Sequence, residues 1–257
     1  MTQKSSYEHG QFSWVDLSAI DLRASSEWYA QLFGWDFELT HPTLHYGMFT
    51  LEGKNVCGLS QLGEEMREAG VRPVWNSYVK VDDAQAVAAK VSEAGGEVRV
   101  APLVGEGLGT IAFFCDPEGA SFAVWQPGPH AGAQVVNEAG AFTWNELLTR
   151  AVDGAGAFYG SVFGWSTQEQ PMPDGSTYTL FKNGDAMNAG AVTIEPGLSV
   201  PPHWLVYFQV TDIESCIATI KDTGGAVQFG PLEIPQGQIA TVSDPQGAVF
   251  GLIQASG

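Results

Sequence analysis

The stretch Trp28-Tyr29-Ala30-Gln31-Leu32-Phe33-Gly34-Trp35 comes back as Phe158-Tyr159-Gly160-Ser161-Val162-Phe163-Gly164-Trp165, and 163 − 33 gives a displacement of 130. Working outward, Phe12-Ser13-Trp14-Val15-Asp16-Leu17 returns at the same displacement as Phe142-Thr143-Trp144-Asn145-Glu146-Leu147. Further on the displacement drifts to 129, where Gly95-Gly96 becomes Gly224-Gly225 and Trp75 becomes Trp204. It reaches 128 where Asp116-Pro117-Glu118-Gly119 becomes Asp244-Pro245-Gln246-Gly247. A displacement that changes this slowly describes two copies of one module that differ by short loop deletions. The copies span 1–126 and 140–257, joined by a Pro-, Gly- and Ala-rich linker over 127–139.

Each copy reads as two similar halves. Ser13 to Leu17 alternates like a strand. The apolar positions Trp28, Tyr29, Leu32 and Phe33 then fall on one helical face that Gly34 ends. Three short β-like runs follow, over 35–39, 46–51 and 56–61. The second half repeats the order: a strand over 75–81, a helix opened by Val81-Asp82-Asp83 and closed by Gly95-Gly96, and strands over 97–100, 110–115 and 121–126. Asp-Pro-x-Gly between the last two is a turn in which Pro fixes φ and Gly accepts a positive φ. The unit is β-α-β-β-β, four times over. The predicted fold class is α+β, two tandem modules whose curved mixed sheets form two cups.

Bulk properties narrow the function. The 257 residues are 44% hydrophobic and 16% charged, a globular composition. A net charge of −18 argues against nucleic acid and anionic membrane as partners, because phosphates call for a basic surface. Cys57, Cys115 and Cys216 are too scattered for a zinc motif and suit reduced thiols in the cytoplasm. No basic-then-apolar leader opens the chain and no run approaches a membrane span, so a cytoplasmic protein is expected, as monomer or homodimer.

Four βαβββ units carrying an aromatic pair before Phe-Gly-Trp, Val-Asp-Asp and Asp-Pro-x-Gly resemble the vicinal oxygen chelate superfamily. That superfamily includes glyoxalase I, extradiol dioxygenases, and fosfomycin and bleomycin resistance proteins. Among its members the chain is similar to the two-module actinobacterial type, a mycobacterial antigen included. The resemblance implies a metal held by inward-facing His or Glu on three strands of a cup. Carried over position by position, those sites are Trp14, Asn76 and Ala123 in the first module, and Trp144, Leu205 and Gly251 in the second. Indole and methyl groups supply no donors, so no metal and no other cofactor is expected at the family position.

Strand alternation instead predicts an aromatic-lined cup. Trp14, Asp16, Asn76, Tyr78, Lys80 and Trp125 fall on the inward face of the first copy, and Trp144, Glu146, Tyr207 and Gln209 on that of the second. Small residues at Ala123 and Gly251 leave room for a ligand. His9, His41, His45 and His130 fall in loops and read as surface residues. Three functions stay open. One is a container for a small apolar or aromatic metabolite, serving sequestration or resistance. Another is a glyoxalase-type isomerase or an oxygenase, with Asp16 or Glu146 as general base. The third is a degenerate structural or interaction protein that keeps only the fold.

Overall fold

The computed structural model describes residues 3–105, 108–172 and 175–256. The first βαβββ unit holds β1 (Phe12–Ala19), α1 (Leu22–Phe33), β2 (Asp36–His41), β3 (Tyr46–Leu51) and β4 (Lys54–Gln61). A short helix, α2 (Glu64–Glu68), leads to the second unit: β5 (Val74–Lys80), α3 (Ala84–Glu93), β6 (Glu97–Gly105), β7 (Gly109–Cys115) and β8 (Ser121–Pro127). The second module begins with β9 (Phe142–Thr149), α4 (Val152–Phe163), β10 (Ser166–Pro171), β11 (Thr177–Asn183) and β12 (Ala186–Thr193). It ends with β13 (His203–Gln209), α5 (Ile213–Asp222), β14 (Ala226–Ile234), β15 (Gly237–Ser243) and β16 (Val249–Ala255).

The helix boundaries follow from local chemistry. Asp21 accepts the amide of Ala24 at the start of α1, and Gly34 ends that helix at φ 71°, where a side chain would be strained. Asp83 and Asp212 cap α3 and α5 in the same way.

Each module builds one open, eight-stranded mixed sheet. The strand orders are β2-β3-β4-β1-β5-β8-β7-β6 and β10-β11-β12-β9-β13-β16-β15-β14. The first strands of the two units pair antiparallel at the centre, Asp16 opposite Asn76 and Trp14 opposite Tyr78. Each of those strands is flanked by a parallel partner, β4 beside β1 and β8 beside β5. A cup is therefore formed within one module, by its two units together. The sequence repeat is also less smooth than it first looks: across β3 and β4 the displacement rises to 132, as Tyr46 to Tyr178 and Gly58 to Gly190 show.

The two sheets pack back to back. Val15, Leu17 and Ala19 on β1, and Phe208 and Phe250 on β13 and β16, are fully buried between them. The backs of β5 and β13 meet at the centre. There the buried Ser77 hydroxyl donates to Asn145 Oδ1 at 2.6 Å. Helix α1 packs beside α5 and α3 beside α4, so each module's helices are shared with its neighbour.

The residues that betray the repeat are the ones that join the modules. Tyr29 donates to Asp244 Oδ2 (3.1 Å) and accepts from the Trp75 indole, while Tyr159 donates to Asp116 Oδ2 (3.2 Å) and accepts from Trp204. The Trp35 indole donates to Gly140 O and that of Trp165 to Gly10 O, with both glycines at positive φ. The variable residue of each Asp-Pro-x-Gly turn also crosses over. Glu118 Oε2 accepts the amides of Arg150 and Ala151 at the entrance to α4, whose own N-cap, Ala151, has no polar side chain to offer. Gln246 Oε1 accepts the amides of Ile20 and Asp21 ahead of α1.

Candidate functional site

The concave faces turn away from the shared core. On β1 the residues between the buried Val15, Leu17 and Ala19 point the other way, placing Trp14 and Asp16 in the first cup. Tyr78 comes from β5, Trp125 from β8 and Ile111 from β7. The distal walls are His41, Leu44, Tyr46 and Met48 on one side and Leu103, Leu108 and Gly109 on the other. Together with His130 they enclose a cavity of about 230 Å³. Leu44 and Leu103 are more than half exposed and form its mouth.

A hydrogen-bonded floor holds the one carboxylate of this cup. Tyr78 donates to Asp16 Oδ2 and Asn76 Nδ2 to Asp16 Oδ1, both at 2.9 Å. Asn76 also donates to the Ser18 hydroxyl, which locks its amide. The Trp14 indole donates to the Tyr46 hydroxyl at 3.0 Å. The Tyr46 ring is seated over Gly58, where any Cβ would stand 2.1 Å from the hydroxyl oxygen. Asp16 is only 5% exposed, and burial raises its pKa from 3.8 to about 6, against the lowering effect of its Asn76 and Tyr78 bonds.

The second cup repeats this floor with one methylene added and with Leu205 in the place of Asn76. Glu146 Oε1 accepts from Tyr178 (2.9 Å) and Oε2 from Tyr207 (3.1 Å), and the Trp144 indole donates to the Tyr178 hydroxyl at 2.8 Å. Burial raises the Glu146 pKa. Both tyrosines are thus tied to one carboxylate. In the first cup the shorter Asp16 reaches Tyr78 but makes no bond to Tyr46. The Tyr46 hydroxyl is left with an indole donor and, among the described residues, no recorded acceptor for its own hydrogen.

The residues picked from the sequence separate accordingly. Trp14, Asp16, Tyr78 and Trp125 line the first cavity, and Asn76 orients Asp16 from below. Lys80 lies on the same strand face but pairs with Asp82 rather than with Asp16. Trp144, Glu146 and Tyr207 form the second floor. Gln209 sits at the end of β13, where its backbone meets Ala139, Gly140 and Ala141. The room foreseen above Gly251 is taken by the Tyr207 ring, whose atoms lie 2.3–2.6 Å from where a Cβ would stand.

Three wall residues, His130, His41 and Tyr46, escaped the sequence reading. His130, read as a surface residue of the linker, packs edge-on against Trp14 with centroids 4.5 Å apart, and lies 5.8 Å from Trp125. Its Nε2 is buried with no partner among the described residues, and burial lowers its pKa to about 4, so the ring is neutral at physiological pH. It is held there because the Trp125 indole donates to its carbonyl at 2.8 Å. His41 likewise faces the cavity rather than open solvent. The helical spacing and strand alternation that found Trp14 carry no information about a loop that folds back. For Tyr46, the change of displacement to 132 concealed the match with Tyr178.

The donors at the family's metal position do not fit a divalent ion. One carboxylate and one amide lie side by side on the floor of the first cup, and the amide nitrogen is already spent on Asp16. Among the described residues no three His, Cys, Asp or Glu side chains converge.

The comparisons with known proteins agree with the architecture. The family profile described as Glyoxalase/Bleomycin resistance protein/Dioxygenase superfamily matches residues 11–124. CFP32 of Mycobacterium bovis, whose name assigns it provisionally as a glyoxylase, is 38% identical over 99% of this chain and 98% of its own length. The anthracycline biosynthesis protein DnrV of Streptomyces peucetius is 33% identical over 95% of this chain and 93% of its own. Among solved structures, the Mn(II)-bound glyoxalase of Novosphingobium aromaticivorans superposes with a TM-score of 0.65 at 16% identity, covering 96% of this chain and 82% of that one. The 2,3-dioxygenase LapB of a Pseudomonas species gives 0.64 at 13%, over 98% of this chain and 94% of that one. With four βαβββ units in two back-to-back sheets and full-length relatives of this kind, the chain belongs to the glyoxalase, bleomycin resistance and dioxygenase superfamily.

Proposed function

We propose that the first cup is a container for a small, flat, mostly apolar metabolite, which it binds without a metal, in a sequestering or resistance role. The observation that carries this reading is the cavity of about 230 Å³ walled by Trp14, Tyr46, Tyr78, Trp125 and His130. An apolar cavity of about 150 Å³ already holds benzene, so this volume suits one or two rings, with larger substituents leaving past Leu44 and Leu103. The likeness to a protein named for anthracycline biosynthesis supports a flat aromatic occupant. Titrating the protein with aromatic metabolites while following tryptophan emission tests the reading, because Trp14 and Trp125 both touch the cavity. A saturable change that disappears in Trp14→Leu supports it, and a flat response across the panel refutes it.

A second reading, an isomerase acting by proton transfer, is favoured by one observation. Asp16 titrates at about 6, in the range of a general base, and the Tyr46 hydroxyl, whose hydrogen has no acceptor among the described residues, can polarise a carbonyl. The glyoxylase name carried by CFP32 points the same way. Incorporation of solvent deuterium next to the carbonyl of a bound ketone, abolished in Asp16→Asn, would establish it over simple binding.

A further inference from the structure

We propose that the first cup selects a ligand carrying a positively charged amine or quaternary ammonium group, seated against Asp16 inside the aromatic walls. This deepens the container reading and rests on it. Among the described residues the cavity holds a carboxylate with no cation to balance it: none of its described lining residues is Lys or Arg, and Lys80, on the same strand as Tyr78, is engaged by Asp82. The His130 ring that closes the cavity stays neutral and supplies no charge. Asp16 has four lone-pair positions, and Tyr78 and Asn76 fill two of them. The remaining two take no donor among the described residues and are open to one arriving through the mouth.

The surroundings suit a cation better than a neutral donor. Trp14, Trp125, Tyr46 and Tyr78 all border the space above the carboxylate, and an aromatic enclosure attracts an ammonium through the negative faces of its rings. The chain's net charge of −18 draws cations toward the protein and repels anions. A cation in the cup would also keep Asp16 ionised, so affinity should rise with pH as the carboxyl titrates. The groups facing Asp16 are Tyr78 and Asn76 on β5, Tyr46 on β3, Cys57 on β4, and His41 and His130 across the cavity. Of these the tyrosines and the thiol stay neutral because burial raises their pKa values.

The test compares phenyltrimethylammonium with its neutral isostere tert-butylbenzene and with benzoate, each titrated into the full chain and read by tryptophan emission. At pH 7.5 the ammonium probe is expected to bind at least about tenfold more tightly than the isostere, and benzoate most weakly. Lowering the pH to 5 should shrink that preference as Asp16 takes up its proton, and His41→Gln should show the same shrinkage. Asp16→Asn should erase the preference while keeping tert-butylbenzene bound. Should that variant not fold, the pH comparison on the unmodified protein decides alone. Equal or tighter binding of tert-butylbenzene by the unmodified protein overturns the cation preference and leaves the container reading standing. Binding of none of the three probes overturns both.

Discussion

Replacing Asp16 by Asn should make the protein more stable, and the gain should depend on pH. The amide keeps the volume of the carboxyl and can still accept from Asn76, while the Tyr78 hydroxyl can turn to accept from it. What is removed is a charge held in an aromatic cup. The folded Asp16 titrates at about 6 against an ordinary 3.8, so between those values the carboxyl is protonated in the folded chain and ionised in the unfolded one. Unfolding then releases a proton, and the stability of the unmodified protein falls as pH rises through this window and levels off above it. The gap between 3.8 and about 6 corresponds to about 3 kcal/mol at ~1.36 kcal/mol per pH unit. That figure is the ceiling of the variant's advantage at pH 7.5, and near pH 3.5 the advantage should vanish. For a chain of this size 3 kcal/mol corresponds to a melting temperature raised by roughly 6–12 °C. Urea unfolding of both proteins at pH 4 and pH 7.5, followed by circular dichroism, measures the difference. An Asn variant no more stable than its parent at pH 7.5, or an advantage that does not change between the two pH values, would refute the claim that this carboxylate is ionised at the expense of the fold.

Four other outcomes follow from the same contacts. Tyr29→Phe leaves the Trp75 indole without its acceptor and Asp244 without its tyrosine, all in the buried interface, and should cost about 1–3 kcal/mol in urea unfolding. Because such contacts run both ways between the modules, 1–126 and 140–257 produced separately should expose Trp75 and Phe208 and bind a hydrophobic dye, whereas the intact chain unfolds in one step. Glu118→Ala removes the borrowed cap of α4 and should cost about 1 kcal/mol, measurable as a lowered urea midpoint. Gly58→Ala would place a methyl group 2.1 Å from the Tyr46 hydroxyl oxygen. It should expel that ring and abolish the emission change of any cavity ligand, with the fold retained by circular dichroism.

The fold could be read from the chain because its most repetitive residues have the most demanding job. Trp35 and Trp165, Tyr29 and Tyr159, and Asp116 and Asp244 each need a partner in the other copy, so neither member of a pair can drift without leaving a buried polar group unmatched. That mutual requirement stamps the same words on both halves, and the words spell an interface. The cup obeys the opposite rule. Its floor is repeated as Trp14, Asp16 and Tyr78 beside Trp144, Glu146 and Tyr207, and strand alternation located those residues. What makes one cup differ from the other is a single methylene, Asn76 where the second floor has Leu205, and a few unrepeated wall residues. Asp16 is too short to tie up Tyr46, and Trp125, which holds His130 against the cavity, stands where the second sheet has Ile253. The closing loop has no periodicity to read, and its histidine looks like any other until an indole fastens its carbonyl. Selection on a pairwise interface leaves a pattern visible twice. A cavity built from unrepeated residues leaves no such echo, and only the folded chain brings them together.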